Sequence, residues 1–265
     1  MLEKPKHLGR AYAEQFQDVS VAEAYHLRPP HSPEVFEILS GLADPDCHSA
    51  LDIGCGTGPI ARGLAKRMQR VDAIDFSPRM IEIGKSLPGG DCPNINWICS
   101  SVEEAPLSPP YGLATAGDSL HWMDWRVVMP RLREALLPER YLAIIEQKPA
   151  LRAWPIELGE LISRYSTNKD YQPFDLVSGL VERGLFEKCG EIRTQPVEFH
   201  QLIADYVEAF HSQNGFSRDR MNAEAAAGFD REAAAALGRV FPEGSVRMLV
   251  SARISWGFPL STPAK

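Results

Sequence analysis

The chain has 265 residues, 44% of them hydrophobic and 24% charged, with a formal net charge of −7. This is the composition of an ordinary globular domain, and its acidic balance disfavours nucleic acid as the main partner, because phosphate neutralisation supplies most of that affinity. No apolar run reaches membrane-spanning length, the five cysteines include no Cys-x-x-Cys pair and the seven histidines no His-x-x-x-His pair, so a membrane span, a disulfide framework and a structural metal site are not expected.

The opening "MLEKPKHLGR" lacks the apolar core of a secretory signal, which favours a cytoplasmic protein. Further on, "YHLRPP" puts Tyr25 and Arg28 one helical turn apart, on a shared face. Five short apolar runs come next, "ALDI", "VDAIDF", "INWIC", "GLATAG" and "YLAII", which read as parallel strands buried on both faces. Helical segments alternate with them. "PIARGLAKRMQR" has Pro59 at its first turn, "SPRMIEIGKSL" has Ser77 as N-cap, and "WRVVMPRLREALL" carries Pro130, expected to kink or restart it. Strands and helices in alternation predict an α/β fold with a doubly wound, mostly parallel sheet. Beyond Ile145, "WPIELGELISRYSTN" and "FDLVSGLVERGLF" read as helices and "EIRTQPVEFHQLI" as extended. "EAAAGFDREAAAALGRVF" reads as an alanine-rich helix interrupted near Gly228, and "SVRMLVSARISWGF" as a closing strand. The expected organisation is a single domain, with an N-terminal helical lid over 1–40, a cofactor-binding core over 50–150 and an inserted helical cap over 205–242 above the substrate pocket.

The strongest local signal is "LDIGCGTGPIARGLA", where a strand runs into Gly54, Gly56 and Gly58 and a helix starts at once. Glycines permit positive φ there and let a ligand lie against bare backbone. The spacing is Gly-x-Gly-x-Gly after an acid, Asp52, which suits a cationic ligand better than the pyrophosphate of a dinucleotide. Asp75 ends the next strand, where an acid takes ribose hydroxyls in nucleoside-binding α/β folds; the alternative is a capping acid for the helix at "SPRM".

Together, "LDIGCGTG", "IDFSPRMIEIGK" and "SLHWMDW" resemble the class I S-adenosylmethionine-dependent methyltransferases, especially the small-molecule branch that includes trans-aconitate methyltransferase-like enzymes. The resemblance implies a Rossmann-like, seven-stranded sheet with a reversed last hairpin, and S-adenosyl-L-methionine lying across the carboxyl ends of its strands. Its methionine part would rest on Gly54, Gly56 and Gly58 beside Asp52, and Asp75 would hold the ribose. Phe76 and Met80 would flank the adenine, Ser101 and Val102 would meet its edge, and Asp118 and Ser119 would border the donor. Ser101 stands where many relatives carry aspartate, and Glu139 and Arg140 replace a usual Gly-Gly turn. Tyr25 and Arg28 resemble an N-terminal element of the same branch and would clamp the donor's carboxylate, with His31 where tyrosine is usual.

"SPPY", residues 108–111, imitates a base-methylating motif but precedes the fourth strand instead of coming after it. The fourth strand leads directly into "GDSLHWMDW", and the crevice outside the strand ends is where α/β sheets bind ligands. His121 is therefore expected to take or orient an acceptor proton and Trp122 to face the methyl group; the alternative is that both pack in the next turn. Trp154, Tyr171, Phe174, Phe210 and Trp256 are candidates to line the acceptor pocket. The expected activity is methyl transfer to O, N or C of a small molecule by in-line displacement, in a monomer or homodimer. The alternatives are a protein or tRNA methyltransferase, or a donor-binding protein that transfers nothing.

Overall fold

The computed structural model describes residues 3–261. The chain begins with short turns of helix, α1 (Arg10–Ala13) and α2 (Val19–Ala24) among three 3-10 turns, and then α3 (Pro33–Leu42). The alternating core runs β1 (Ser49–Ile53), α4 (Pro59–Leu64), β2 (Arg70–Asp75), α5 (Pro78–Ser86), β3 (Ile95–Cys99), β4 (Leu113–Gly117), α6 (Trp125–Ala135) and β5 (Leu142–Leu151). It continues through α7 (Ile156–Tyr165), α8 (Leu176–Glu182), β6 (Phe186–Arg193), β7 (Val197–Leu202), α9 (Ile203–Phe210), α10 (Ala223–Val240) and β8 (Ser245–Pro259).

Every residue of β1 is buried, as expected of a strand covered on both faces. Its side chains alternate between two cores: Leu51 and Ile53 pack with Val128 and Leu132 of α6, while Ala50 packs with Val35, Leu39 and Leu64 of α3 and α4. The sheet order is β3-β2-β1-β4-β5-β8-β6, parallel through β5 and reversed at β8. It has eight strands, not the seven expected. The edge column beside β8 is divided: β6 pairs with its C-terminal half and β7 with its N-terminal half. Pro196, between them, has no N–H to give to the ladder.

Two further expectations give way to packing. Helix α6 does not restart at Pro130, because Trp125, Val128, Met129 and Leu132 bury a full face and Asp124 caps the first turn. Helix α10 runs through Gly228 without interruption. A Cβ there would lie 2.8 Å from the Tyr165 hydroxyl, so this glycine marks the close crossing of α7 and α10.

The inserted helices form a third core with Val246, Met248 and Val250 of β8, and α7 belongs to it as much as α9 and α10 do. None of residues 205–242, expected as a cap over the pocket, lines either cavity at the strand ends.

Candidate active site

A cavity of about 750 Å³ opens at the carboxyl ends of β1, β2 and β4, lined by Gly54, Gly56, Asp75, Phe76, Met80, Ser101, Val102, Asp118, Ser119 and Trp122. Its roof is the N-terminal segment, which contributes Lys4, Phe16, Tyr25 and Arg28 among others. A second cavity, about 360 Å³, lies behind Tyr25 and Arg28 and shares Gly54 and Asp118 with the first.

The glycine loop divides its labour. Gly54 has φ +61°, and a Cβ on it would lie 2.6 Å from that of Ser119, so the bare backbone lets the ends of β1 and β4 meet. Gly58 has φ +72° and lines neither cavity; a Cβ there would strike Trp97 at 2.3 Å. Its lack of a side chain accommodates an indole beneath the loop and not a ligand.

Asp75 is 6% exposed and accepts from the Gly56 and Ser77 amides, each at 2.8 Å. It thus shapes the glycine loop while facing the cavity. The N-cap of α5 is Ser77, which accepts from the Met80 amide, so the capping alternative for Asp75 does not hold. Burial pushes the Asp75 carboxyl up to about 6, against the pull of the two amides. Asp118, with a strained φ of 46°, accepts from the Gln147 amide, and desolvation raises it to about 6 as well, with Arg28 opposing. Its side chain is more exposed than that of Asp75, so water screens it more. Asp52 sits under the loop, 1% exposed, held by the Thr115 hydroxyl and the Ala61 amide and pushed up to about 7 by burial. It borders only the second cavity, so its first task is tying β1 to β4 and to the start of α4.

Met80 joins the floor to the roof, since its side chain forms a small core with Val21, Ala22, Phe16 and Tyr25 of the lid. The Arg28 guanidinium lies over the Tyr25 ring at 4.1 Å, and both side chains line both cavities. Phe16 rests against Trp122 at 5.4 Å. The lid is held from outside by the segment between α9 and α10: Asp18 accepts from Ser217 and Arg220, and Ser212 holds Arg28.

His121 does not line the cavity, although its neighbours Ser119, Trp122 and Met123 do. It lies in a three-residue 3-10 turn, Leu120–Trp122, with its ring against that of Trp122. Burial first, then the charges of Lys4, His7, Arg28 and Lys148, push its imidazole down to about 3. It is neutral near pH 7 and too weak a base for the proton-taking role expected of it. Trp154 is 52% exposed and lines neither cavity, and Tyr171, Phe174, Phe210 and Trp256 line neither as well. The acceptor-pocket expectation for these side chains is corrected accordingly. "SPPY" is structural: Tyr111 is fully buried and donates to Asp72.

Sequence reasoning missed the far end of the cavity. Trp125 lies there between Lys4 and Arg183, with Arg126 nearby. Lys4 donates to the Met123 carbonyl, and burial lowers it to about 8. No pattern announces Lys4 or Arg183 as pocket residues, since each arrives from an element distant in sequence.

Residues 50–139, from β1 through α6, match the family model of a methyltransferase domain. This stretch, which holds the glycine loop and ends in the turn before β5, is similar to a methyltransferase domain. Among the relatives, malonyl-[acyl-carrier protein] O-methyltransferase 1 of Ilyobacter polytropus is 34% identical over 79 residues, 29% of each chain. The match thus spans less than a third of that relative's length. Ubiquinone biosynthesis O-methyltransferase of Xanthomonas axonopodis pv. citri is 26% identical over 173 residues, 60% of this chain and 72% of that one. A solved structure described as a Type II methyltransferase from Anaeromyxobacter dehalogenans has a TM-score of 0.62 at 23% identity, covering 88% of this chain and 99% of its own, and shows the shared fold. The matched family region holds the glycine loop, Asp75, Ser101 and Asp118; the lid and α7 to α10 lie outside it.

Proposed function

We propose that the chain transfers the methyl group of S-adenosylmethionine to a small-molecule acceptor. The observation that carries this reading is the lidded cavity itself, with a donor end built from the glycine loop, Asp75 and Asp118 and a separate far end around Trp125. The residues fit the donor: bare backbone at Gly54 and Gly56, carboxyls open to a cation, and Phe76 and Met80 as apolar walls for a base. When bound, S-adenosylmethionine supplies an electrophilic methyl on a sulfonium, taken by the acceptor in an in-line displacement. The protein's task is then alignment and exclusion of water, effects worth roughly 7 to 11 kcal/mol.

In this reading Asp75 holds the ribose, Ser101 and Val102 meet the adenine edge, and Tyr25 with Arg28 receives the donor's carboxylate. Trp122 faces the methyl group. The far end sets Lys4, Arg10, Arg126 and Arg183 against Glu14, Glu103, Glu104 and Asp124. Mixed charge of that kind suits a small polar acceptor and offers no single-sign track for a nucleic acid. With His121 outside the cavity and held neutral, catalysis rests on positioning, which suits an acceptor that is already a nucleophile.

Calorimetric titration with S-adenosylmethionine, S-adenosylhomocysteine and NAD tests the donor half of this reading. Tight binding of the first two and none of NAD is expected, and the reverse pattern refutes it. An acceptor panel scored by release of S-adenosylhomocysteine tests the transfer.

A further inference from the structure

Arg28 meets the chain's insert at a single residue. Its Nε donates to the Ser212 hydroxyl at 2.9 Å and its Nη2 to the Ser212 carbonyl at 2.5 Å. Nη1 makes no protein hydrogen bond among the described residues, and the side chain borders both cavities. Ser212 is fully buried and is fixed in turn, its hydroxyl donating to the Ala209 carbonyl at 2.6 Å.

The residue before it explains why this turn holds its shape. His211 is fully buried, with Nδ1 2.7 Å from the Phe216 carbonyl and Nε2 2.7 Å from Asp230 Oδ1. A carbonyl only accepts, so Nδ1 carries a hydrogen. Asp230 is also held by Arg218 at 2.9 Å, so the group that meets Nε2 is itself fixed. One ring thereby pins the turn after α9 to α10 and to the carbonyl of Phe216. These residues lie outside the matched family region, and none of them lines either cavity.

We infer that Ser212, held in place by His211, is a positioning residue that aims the free edge of the Arg28 guanidinium at the carboxylate of the donor. The inference rests on the proposed donor reading. A planar guanidinium binds a carboxylate through parallel N–H groups, and two of its donors committed to Ser212 leave only one orientation for the rest. The insert then acts on the donor site through one hydrogen-bonded serine.

The test compares S-adenosylhomocysteine, which carries the amino-acid tail, with 5′-methylthioadenosine, which lacks it, by calorimetry on the full chain. In Ser212→Ala the first should bind about five- to tenfold more weakly and the second within twofold of wild type, the scale of one hydrogen bond to a charged group. His211→Gln, whose single amide group cannot reproduce both ring contacts, should show the same selective loss, and Ser212→Thr should restore the affinity. Equal weakening of both ligands, or an unchanged affinity for S-adenosylhomocysteine in the folded variants, overturns the inference. If neither ligand binds the wild-type protein, the donor reading itself fails, and the two failures are told apart by that control.

Discussion

Asp75 does two jobs that pull its carboxyl in opposite directions: its burial favours the neutral acid, and the amides of Gly56 and Ser77 favour the anion. Burial wins, leaving it at about 6, above the roughly 3.9 of an unfolded aspartate. A raised carboxyl contributes stability that is full below the unfolded value and is lost as pH rises through about 6. A bound cationic donor reverses the preference, so S-adenosylmethionine affinity should climb between about pH 5 and 7 and then level, with protons released on binding near pH 5.5. S-adenosylhomocysteine, which lacks the sulfonium, should show a shallower rise. Calorimetry in buffers of different ionisation enthalpy reads the released protons, and equal, flat profiles for both ligands would contradict this account. Asp75→Ala should weaken the donor by about ten to a hundredfold, equal to about 1.5 to 3 kcal/mol for hydrogen bonding to a charged group. Gly58 belongs to a different kind of residue. Gly58→Ala drives a Cβ into Trp97 at a φ that L side chains resist, so it should cost stability of about 1 to 2 kcal/mol or more by denaturant titration. Donor affinity in the folded fraction should stay near normal, and a selective loss of donor binding would show that Gly58 touches the ligand. Sequence spacing makes the three glycines look alike, because φ > 0 is common to all of them. What separates them is the neighbour each one meets, Ser119 for Gly54, Tyr25 for Gly56 and Trp97 for Gly58, and those neighbours are distant in sequence.

At the scale of elements, the alternating core is legible because β1 to β4 are short apolar runs and helices follow β1, β2 and β4, the second of them with its Ser77 cap spelled out in the sequence. The lid over 1–40 is expected only as helical, and its pieces before α3 are four- and six-residue helices among 3-10 turns, too short to carry a periodic pattern or to stand alone. His121 is misplaced for the same reason, since a three-residue 3-10 turn decides which of its side chains meets the cavity. Breakers are read too strongly. Pro130 and Gly228 each suggest an interruption, yet both helices continue because packed faces outweigh a local cost of about 1 kcal/mol for glycine and about 3 kcal/mol for proline. Gly228 has a reason to be glycine that only the α7–α10 crossing reveals, the Tyr165 hydroxyl, which itself donates to Glu232. Gly228→Ala should therefore lower the melting temperature despite better helix propensity. In a Tyr165→Phe background the nearest ring carbons stand at 3.4 Å, and the same substitution should become neutral or stabilising by up to about 1 kcal/mol. Additive effects in the double variant would place the cost of Gly228→Ala elsewhere.

For the whole molecule, the cavity lies under an N-terminal segment of short helices that is held by the insert between β7 and β8. Asp18 takes the Ser217 hydroxyl at 2.6 Å and the Arg220 fork at 2.6 and 3.2 Å, while Asn214 donates to the Tyr12 carbonyl and Gly215 to Gln15. Beside Asn214, Asp170 accepts from Tyr12 and Lys6. The lid is thus tied by polar contacts as well as by apolar ones, with Met80, with Trp122 and, through Leu8, with the main core. A polar tie releases into water at smaller cost than a packed side chain. Arg220 is 36% exposed and its pair with Asp18 is partly screened, which limits its worth to about 1 kcal/mol. Arg220→Ala should accordingly speed release of the donor by about three- to tenfold with little change in its association rate, because the tie exists only in the closed form. A stopped-flow chase of bound S-adenosylhomocysteine against excess ligand measures the release directly. Loss of association rate with release unchanged would mean that the Arg220 tie shapes the open entrance, and the lid would then close by its apolar contacts alone.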